Sequence, residues 1–214
     1  MQRRWSGYPD NGDMPRLSAT LSVDDLPFPQ LCASRLDGDI LPLQGAWVAL
    51  DEPDTAELRA ASLAAARPPT FIIERCSAAW VHGASVVAPA QPEFCVARPD
   101  RVPLRCEGPP CRVREVRIAS EDIVRFSIGS PRSATGTARC TGPVRTALDL
   151  LYDITLADAT VERLIKHLLV TAAARAQVTA RVRSARRIPH QATALARVNR
   201  LQLGAEPVCW PLAS

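Results

Sequence analysis

Seven cysteines, three histidines and one lysine are the most chemically specific residues of this 214-residue chain, and their spacing gives them little to do together. The cysteines at 32, 76, 95, 106, 111, 140 and 209 form no Cys-x-x-Cys pair; the closest two, Cys106 and Cys111, bracket Gly108-Pro109-Pro110. Zinc is normally held by about four convergent ligands, often as two close pairs. The expectation is therefore of buried, reduced thiols and no metal. His82 lies between an apolar turn and Gly83, with no Gly-x-Ser-x-Gly elbow or Cys/His signature beside it, and reads as a packing residue at a helix end. Asp122, Asp149, Asp153 and Asp158 are scattered over different predicted elements, and Lys166 stands four residues after Glu162 rather than in a nuclease-like spacing. No Gly-rich phosphate loop and no His-Glu-x-x-His motif occurs. A chain without an enzyme's constellation and without a cofactor is expected.

The arginines point elsewhere. Of 26 basic residues 25 are arginine, against 22 acidic residues, and the net charge of +4 is unevenly placed. Met1 to Cys111 carries −4, Arg112 to Arg200 carries +9, and Glu206 completes the balance. From Arg163 to Ala205 nine basic residues occur with no acid among them. On one continuous helix, Arg175, Arg183, Arg186 and Arg187 would share an arc of roughly 120°. Such a face attracts phosphate or an acidic partner through charge and counterion release. It could also be an ordinary solvated face of an arginine-rich chain.

These groups must be positioned by elements, and their order is legible. Residues 1–25 read as a flexible tail with one short helix from Pro15 to Leu21. A helix follows Leu26-Pro27, with Leu31, Cys32 and Leu36 as its apolar stripe and Asp37-Gly38-Asp39 as its stop. Ile40–Leu43 and Ala46–Leu50 read as a hairpin around Gln44-Gly45. Helix then hairpin is the second half of a winged-helix unit. Thr55 to Ala66 is a helix, Phe71-Ile72-Ile73 a buried strand, and Ser77 an N-cap for a short helix Ala78–His82 closed by Gly83. Strands are expected at Glu93–Ala97, Arg112–Ile118 and Thr137–Cys140. Helices begin at Pro143, where Arg145 and Asp149 are spaced to pair, and run over Ala157–Val170, Ala172–Arg186 and Pro189–Leu201. The longest apolar stretch, Leu168 to Ala174, is far short of the roughly 18 residues of a membrane helix. The amino terminus turns polar where a signal peptide would become apolar. A soluble, cytoplasmic protein is expected.

Five ordered segments carry a family likeness: Gln30–Gly38, Arg59–Leu63, Ser77–Ala84, Val113–Val116 and Pro143–Leu150. Together with the helices that follow, they make residues 26–201 resemble the AbiEi family, the antitoxins of type IV toxin-antitoxin pairs, in the form common among actinobacteria. The resemblance implies an N-terminal winged helix-turn-helix that binds the protein's own operator DNA. It also implies a C-terminal domain that opposes a nucleotidyltransferase toxin. One departure stands out: a full winged helix has two helices before its recognition helix, and here only Pro15–Leu21 is available.

The reading is thus an α+β chain: a tail (1–25), a partial winged-helix-like unit (26–54), an α/β domain with C-terminal helices (55–205) and a second tail (206–214). If the first strong helix is a recognition helix, Gln30, Ser34 and Arg35 are its DNA-contacting residues, with Gln44 and Arg16 as backbone contacts. Arg175, Arg183, Arg186 and Arg187 form the basic face. The expected function is an antitoxin-like transcriptional regulator. The alternative is a protein-interaction module or solitary regulator that has lost sequence-specific DNA binding.

Overall fold

The computed structural model describes residues 20–65, 67–98, 110–128 and 136–203, and their class is α+β. Helix α1, Phe28–Asp37, starts behind Pro27 with Pro29 in its first turn, where a missing N–H costs nothing. It ends at Gly38, whose φ of 83° is a conformation that a side chain disfavours, and whose N–H returns to the Arg35 carbonyl. β1, Ile40–Leu43, and β2, Ala46–Ala49, follow as an antiparallel hairpin turning through Gln44 and Gly45. Leu21 bonds through both its backbone groups to Trp47, at 2.7 and 2.9 Å, adding an extended residue to the free edge of β2. Of the tail expected over residues 1–25, residues 20–25 are described, and Leu21 is extended rather than helical. Residues 15–19 of the expected helix, with Arg16, lie outside the described residues, as do 204–214.

Helix α2, Ala56–Ala64, is capped by the Thr55 hydroxyl, which accepts from the Leu58 N–H at 3.1 Å. Beyond it lies a five-stranded mixed sheet of order β5-β4-β3-β7-β6, made of β3 (Ile72–Ile73), β4 (Glu93–Ala97), β5 (Arg112–Val116), β6 (Ile123–Ile128) and β7 (Gly136–Thr141). β3 pairs antiparallel with β4 and parallel with β7; β5 and β6 are the edges. The strand at Ile123–Ile128 is one that sequence periodicity did not single out, because its Ile-Val-Arg-Phe-Ser-Ile alternates imperfectly and none of its residues is fully buried; it is specified by pairing with β7.

Helix α3, Arg75–Val81, lies between two cores. Its Ala78, Trp80 and Val81 join the sheet's cluster with Phe71, Ile73, Phe94 and Cys140. Its Ala79 joins the helical cluster of Leu150, Leu151, Ile165, Leu169 and Val182. Two alanines side by side are what a helix buried on both faces requires. Ser77 is not its N-cap, as the sequence suggested: Glu74 stands at that position, and the Ser77 hydroxyl accepts from the Glu93 N–H at 2.8 Å. The second core is built by α4 (Pro143–Leu151), α5 (Asp158–Leu168), α6 (Ala172–Ser184) and α7 (Gln191–Arg200). α6 stops at Ser184, two residues short of its expected end. Among the described residues, no helix is long and apolar enough to cross a membrane.

Candidate nucleic-acid interface

The first predicted contact surface is α1 with its hairpin. A single residue of α1, Leu31, is fully buried, and it anchors the helix. The apolar stripe expected of Leu31, Cys32 and Leu36 does not face one core: Cys32 is half-buried and Leu36 is 87% exposed. Gln30 and Arg35 are exposed, and Ser34 is half-buried. Its backbone carbonyl accepts from the Asp39 N–H at 2.9 Å. Gln44 sits at the hairpin tip with φ of 52°, and its Nε2 reaches the Pro89 carbonyl at 3.5 Å. That bond turns Gln44 toward the body of the protein, so its wing role is weakened.

The second surface, the basic end, is corrected more sharply. The arc assumed one helix through Arg187. In fact the chain leaves α6 at Ala185, and Arg187 has φ of 58°, a left-handed turn that ends any helical register. Arg175 is exposed but engaged: its Nε and Nη2 donate to the Leu169 and Val170 carbonyls at the end of α5, at 2.9 and 3.1 Å. Arg183, Arg186 and Arg187 are exposed and have no ion-pair partner among the described residues. The acid-free run is not acid-free in space, because earlier elements supply its counter-charges. Arg181 bonds Asp122 at 2.7 Å, and Arg200 bonds Asp158 and Glu162.

Arg197, only 2% exposed, is a structural tie. It donates to the carbonyls of Leu150, Leu151, Asp153 and Leu156 and pairs with Asp158 at 2.8 Å. The carbonyls at the end of α4 have no partner within their own helix, and a guanidinium with five donors satisfies several at once.

Between the two cores' exposed rims the structure places a feature that spacing alone did not predict. The Arg145–Asp149 pair forms as expected, with Nε–Oδ2 at 3.0 Å, but it is the centre of a longer chain of charges. Asp149 also takes Arg114 at 3.2 Å; Arg114 grips buried Glu74 through two bonds of 2.6 and 2.8 Å. At the other end Arg145 faces Asp122, which holds Arg181. Burial pushes the Glu74 carboxyl up, against the pull of the Arg114 guanidinium. Burial pulls the Arg114 guanidinium down, but the hydrogen bonds and charges of Glu74 and Asp149 outweigh it and hold the group firmly protonated. The same balance, with Asp149 and Asp122, raises Arg145. These arginines rim a groove of about 450 Å³ whose apolar lining includes Val116, Leu148, Tyr152 and Ile188.

The thiols and His82 make no comparable site. Burial pushes Cys140 and Cys95 far up, and Cys76 to about 12, so these are poor nucleophiles. Burial lowers His82, although its 2.7 Å bond to the Thr141 carbonyl pulls the other way, so the ring is neutral with its Nε2–H donating. Among the described residues no group of three histidine, cysteine or acidic side chains could hold a metal ion.

No protein-family description matches the chain, and no curated protein does. Among solved structures it is similar to the RV2827C protein from Mycobacterium tuberculosis, at 14% identity and a TM-score of 0.36, over 90% of this chain and 78% of that one.

Proposed function

We propose that the chain is an antitoxin-like transcriptional regulator of the AbiEi kind, which binds operator DNA and counteracts a nucleotidyltransferase toxin in the cytoplasm. The observation that carries this reading is the N-terminal unit. A helix held by one buried leucine presents Gln30 and Arg35 to solvent and is followed at once by a two-stranded hairpin with a third extended residue, Leu21, on its edge. Arg and Gln side chains on such a helix have the donor geometry to read guanine and adenine edges. The unpaired Arg183, Arg186 and Arg187 add sequence-independent attraction to phosphate.

The test is fluorescence anisotropy with a labelled duplex from upstream of the gene. Saturable binding that falls steeply with salt and drops on Arg35→Ala supports operator recognition. Equal, weak binding to an unrelated duplex refutes it. For the antitoxin half, co-expression with a neighbouring nucleotidyltransferase gene should restore growth.

One observation favours the interaction-module reading: Phe28, Leu36, Leu41 and Leu50, all on this small unit, are large apolar side chains left in water. Under that reading both duplexes bind equally weakly, and Leu36→Glu abolishes growth rescue.

A further inference from the structure

We propose that the arginine-rimmed groove beside α4 binds an unpaired nucleotide of a nucleic-acid strand, with the exposed arginines after α6 holding the adjoining backbone. None of its lining residues comes from the N-terminal unit, so the site is separate from operator reading by α1.

Four guanidinium groups, of Arg114, Arg117, Arg145 and Arg181, meet two carboxylates, Asp122 and Asp149, around this groove. The carboxylates fix three of the arginines in place, each bridging two of them. Arg117 is different: it is exposed and its guanidinium has no ion-pair partner among the described residues, leaving a free planar donor at the rim. A guanidinium of this kind matches a phosphate in bidentate fashion.

The rest of the groove fits a flat, weakly polar body rather than a bare ion. Leu148, Val116 and Ile188 give it apolar surface, and Tyr152 gives it a ring. The Tyr152 hydroxyl is itself buried and without a hydrogen-bond partner among the described residues, so it is the rest of the side chain that the groove offers to a flat ligand. About 450 Å³ lies within the usual range for small-ligand sites and admits one nucleotide, not a duplex.

Chain geometry argues for a strand over a free mononucleotide. Ala185 and Ile188 line the groove, so Arg186 and Arg187 sit between two lining residues, at its lip. With Arg183 they place three unpaired cations where the phosphates next to a bound nucleotide would run. Charged tracks beside stacking surfaces are the common means of holding single strands.

The test uses the full chain and fluorescein-labelled dT12, with thymidine monophosphate and a mixed-sequence 12-base-pair duplex for comparison. Binding of dT12 is expected to be saturable and salt-dependent, tighter than either comparison, and reduced about tenfold by Arg117→Ala. Ala185→Trp, which fills the groove from its half-buried edge, should reduce it similarly, and Tyr152→Phe, which keeps the ring, should leave it nearly unchanged. If the monophosphate binds as tightly as dT12, the site is for a free nucleotide and the strand proposal fails. If Arg117→Ala and Ala185→Trp bind dT12 as the parent does while circular dichroism shows all folded, the groove is not the site. Arg35→Ala should leave dT12 binding unchanged; a loss there would place single-strand binding on α1 instead, and overturn the proposal.

Discussion

The small N-terminal unit and the four-helix end are both arginine-bearing and both surface-rich, yet they are held by different means. Around α1 the buried residues are few, Leu31 in the helix with Ile40, Ala46 and Val48 in the hairpin, and none belongs to the three large clusters. The helices α4 to α7 share one continuous core, and a buried arginine sews the end of α4 to α7 and α5. The difference teaches that basic residues here are of two kinds. Arg197 and Arg175 satisfy helix-end carbonyls, whereas Arg35, Arg183, Arg186 and Arg187 project into water. The second kind, to which exposed Arg117 also belongs, has no ion-pair partner among the described residues and keeps its donors for a partner.

Arg197→Ala is the hardest test of this division. It would remove the donor to the Leu151, Asp153 and Leu156 carbonyls and one of the donors to Leu150, and should destabilise the helical end by about 3 kcal/mol or more, since each buried polar group left unpaired costs about 1–3 kcal/mol. A thermal melt would read it; a shift of a degree or two would mean that water replaces the guanidinium. Leu31→Ala should cost about 2–3 kcal/mol, but locally. Hydrogen exchange should then speed up in β1 and β2 while the sheet and the helical end keep their protection. If the whole chain loosens together, the two regions fold as one unit.

A pH titration sharpens the boundary at the sheet. His82 has its folded pKa below the ordinary value near 6.5, because burial disfavours the imidazolium. As pH falls through 6.5 the unfolded chain takes up a proton that the folded chain refuses, so stability should decline below that point and level off above it. His82→Gln should flatten this window; an unchanged profile would assign the titration to another group. The smallest effect belongs to the triple change Arg183→Ala, Arg186→Ala and Arg187→Ala. It should leave the melting temperature within about 2 °C, since exposed substitutions usually shift stability by under about 0.5 kcal/mol, while weakening nucleic-acid binding. A large drop in stability would show these arginines to be packed after all.

Much of the fold was legible because it depends on local signals. Pro143 behind Gly142 and the Val161, Leu164, Ile165 and Leu168 stripe each specify a helix within a few residues. β6 was not, since its pattern is uneven. The stripe on α1 misled for a related reason: spacing placed Leu36 with Leu31, but no element among the described residues stands over Leu36 to cover it. Of the proposed contact residues, Gln30 and Arg35 are where a surface role needs them, whereas Arg175 and Gln44 turn inward to backbone carbonyls.

The sequence by itself determined most of the elements, β6 excepted, the uneven charge and the pairing of Arg145 with Asp149, because these depend on neighbours within a turn or two. Tertiary structure decided which arginines are free. Arg181 finds Asp122 across 59 residues and Arg197 finds Asp158 across 39, and no local pattern encodes such meetings. The groove exists for the same reason: β5, the turn at Asp122, α4 and the end of α6 come together only when the sheet and the helical core pack on either side of α3.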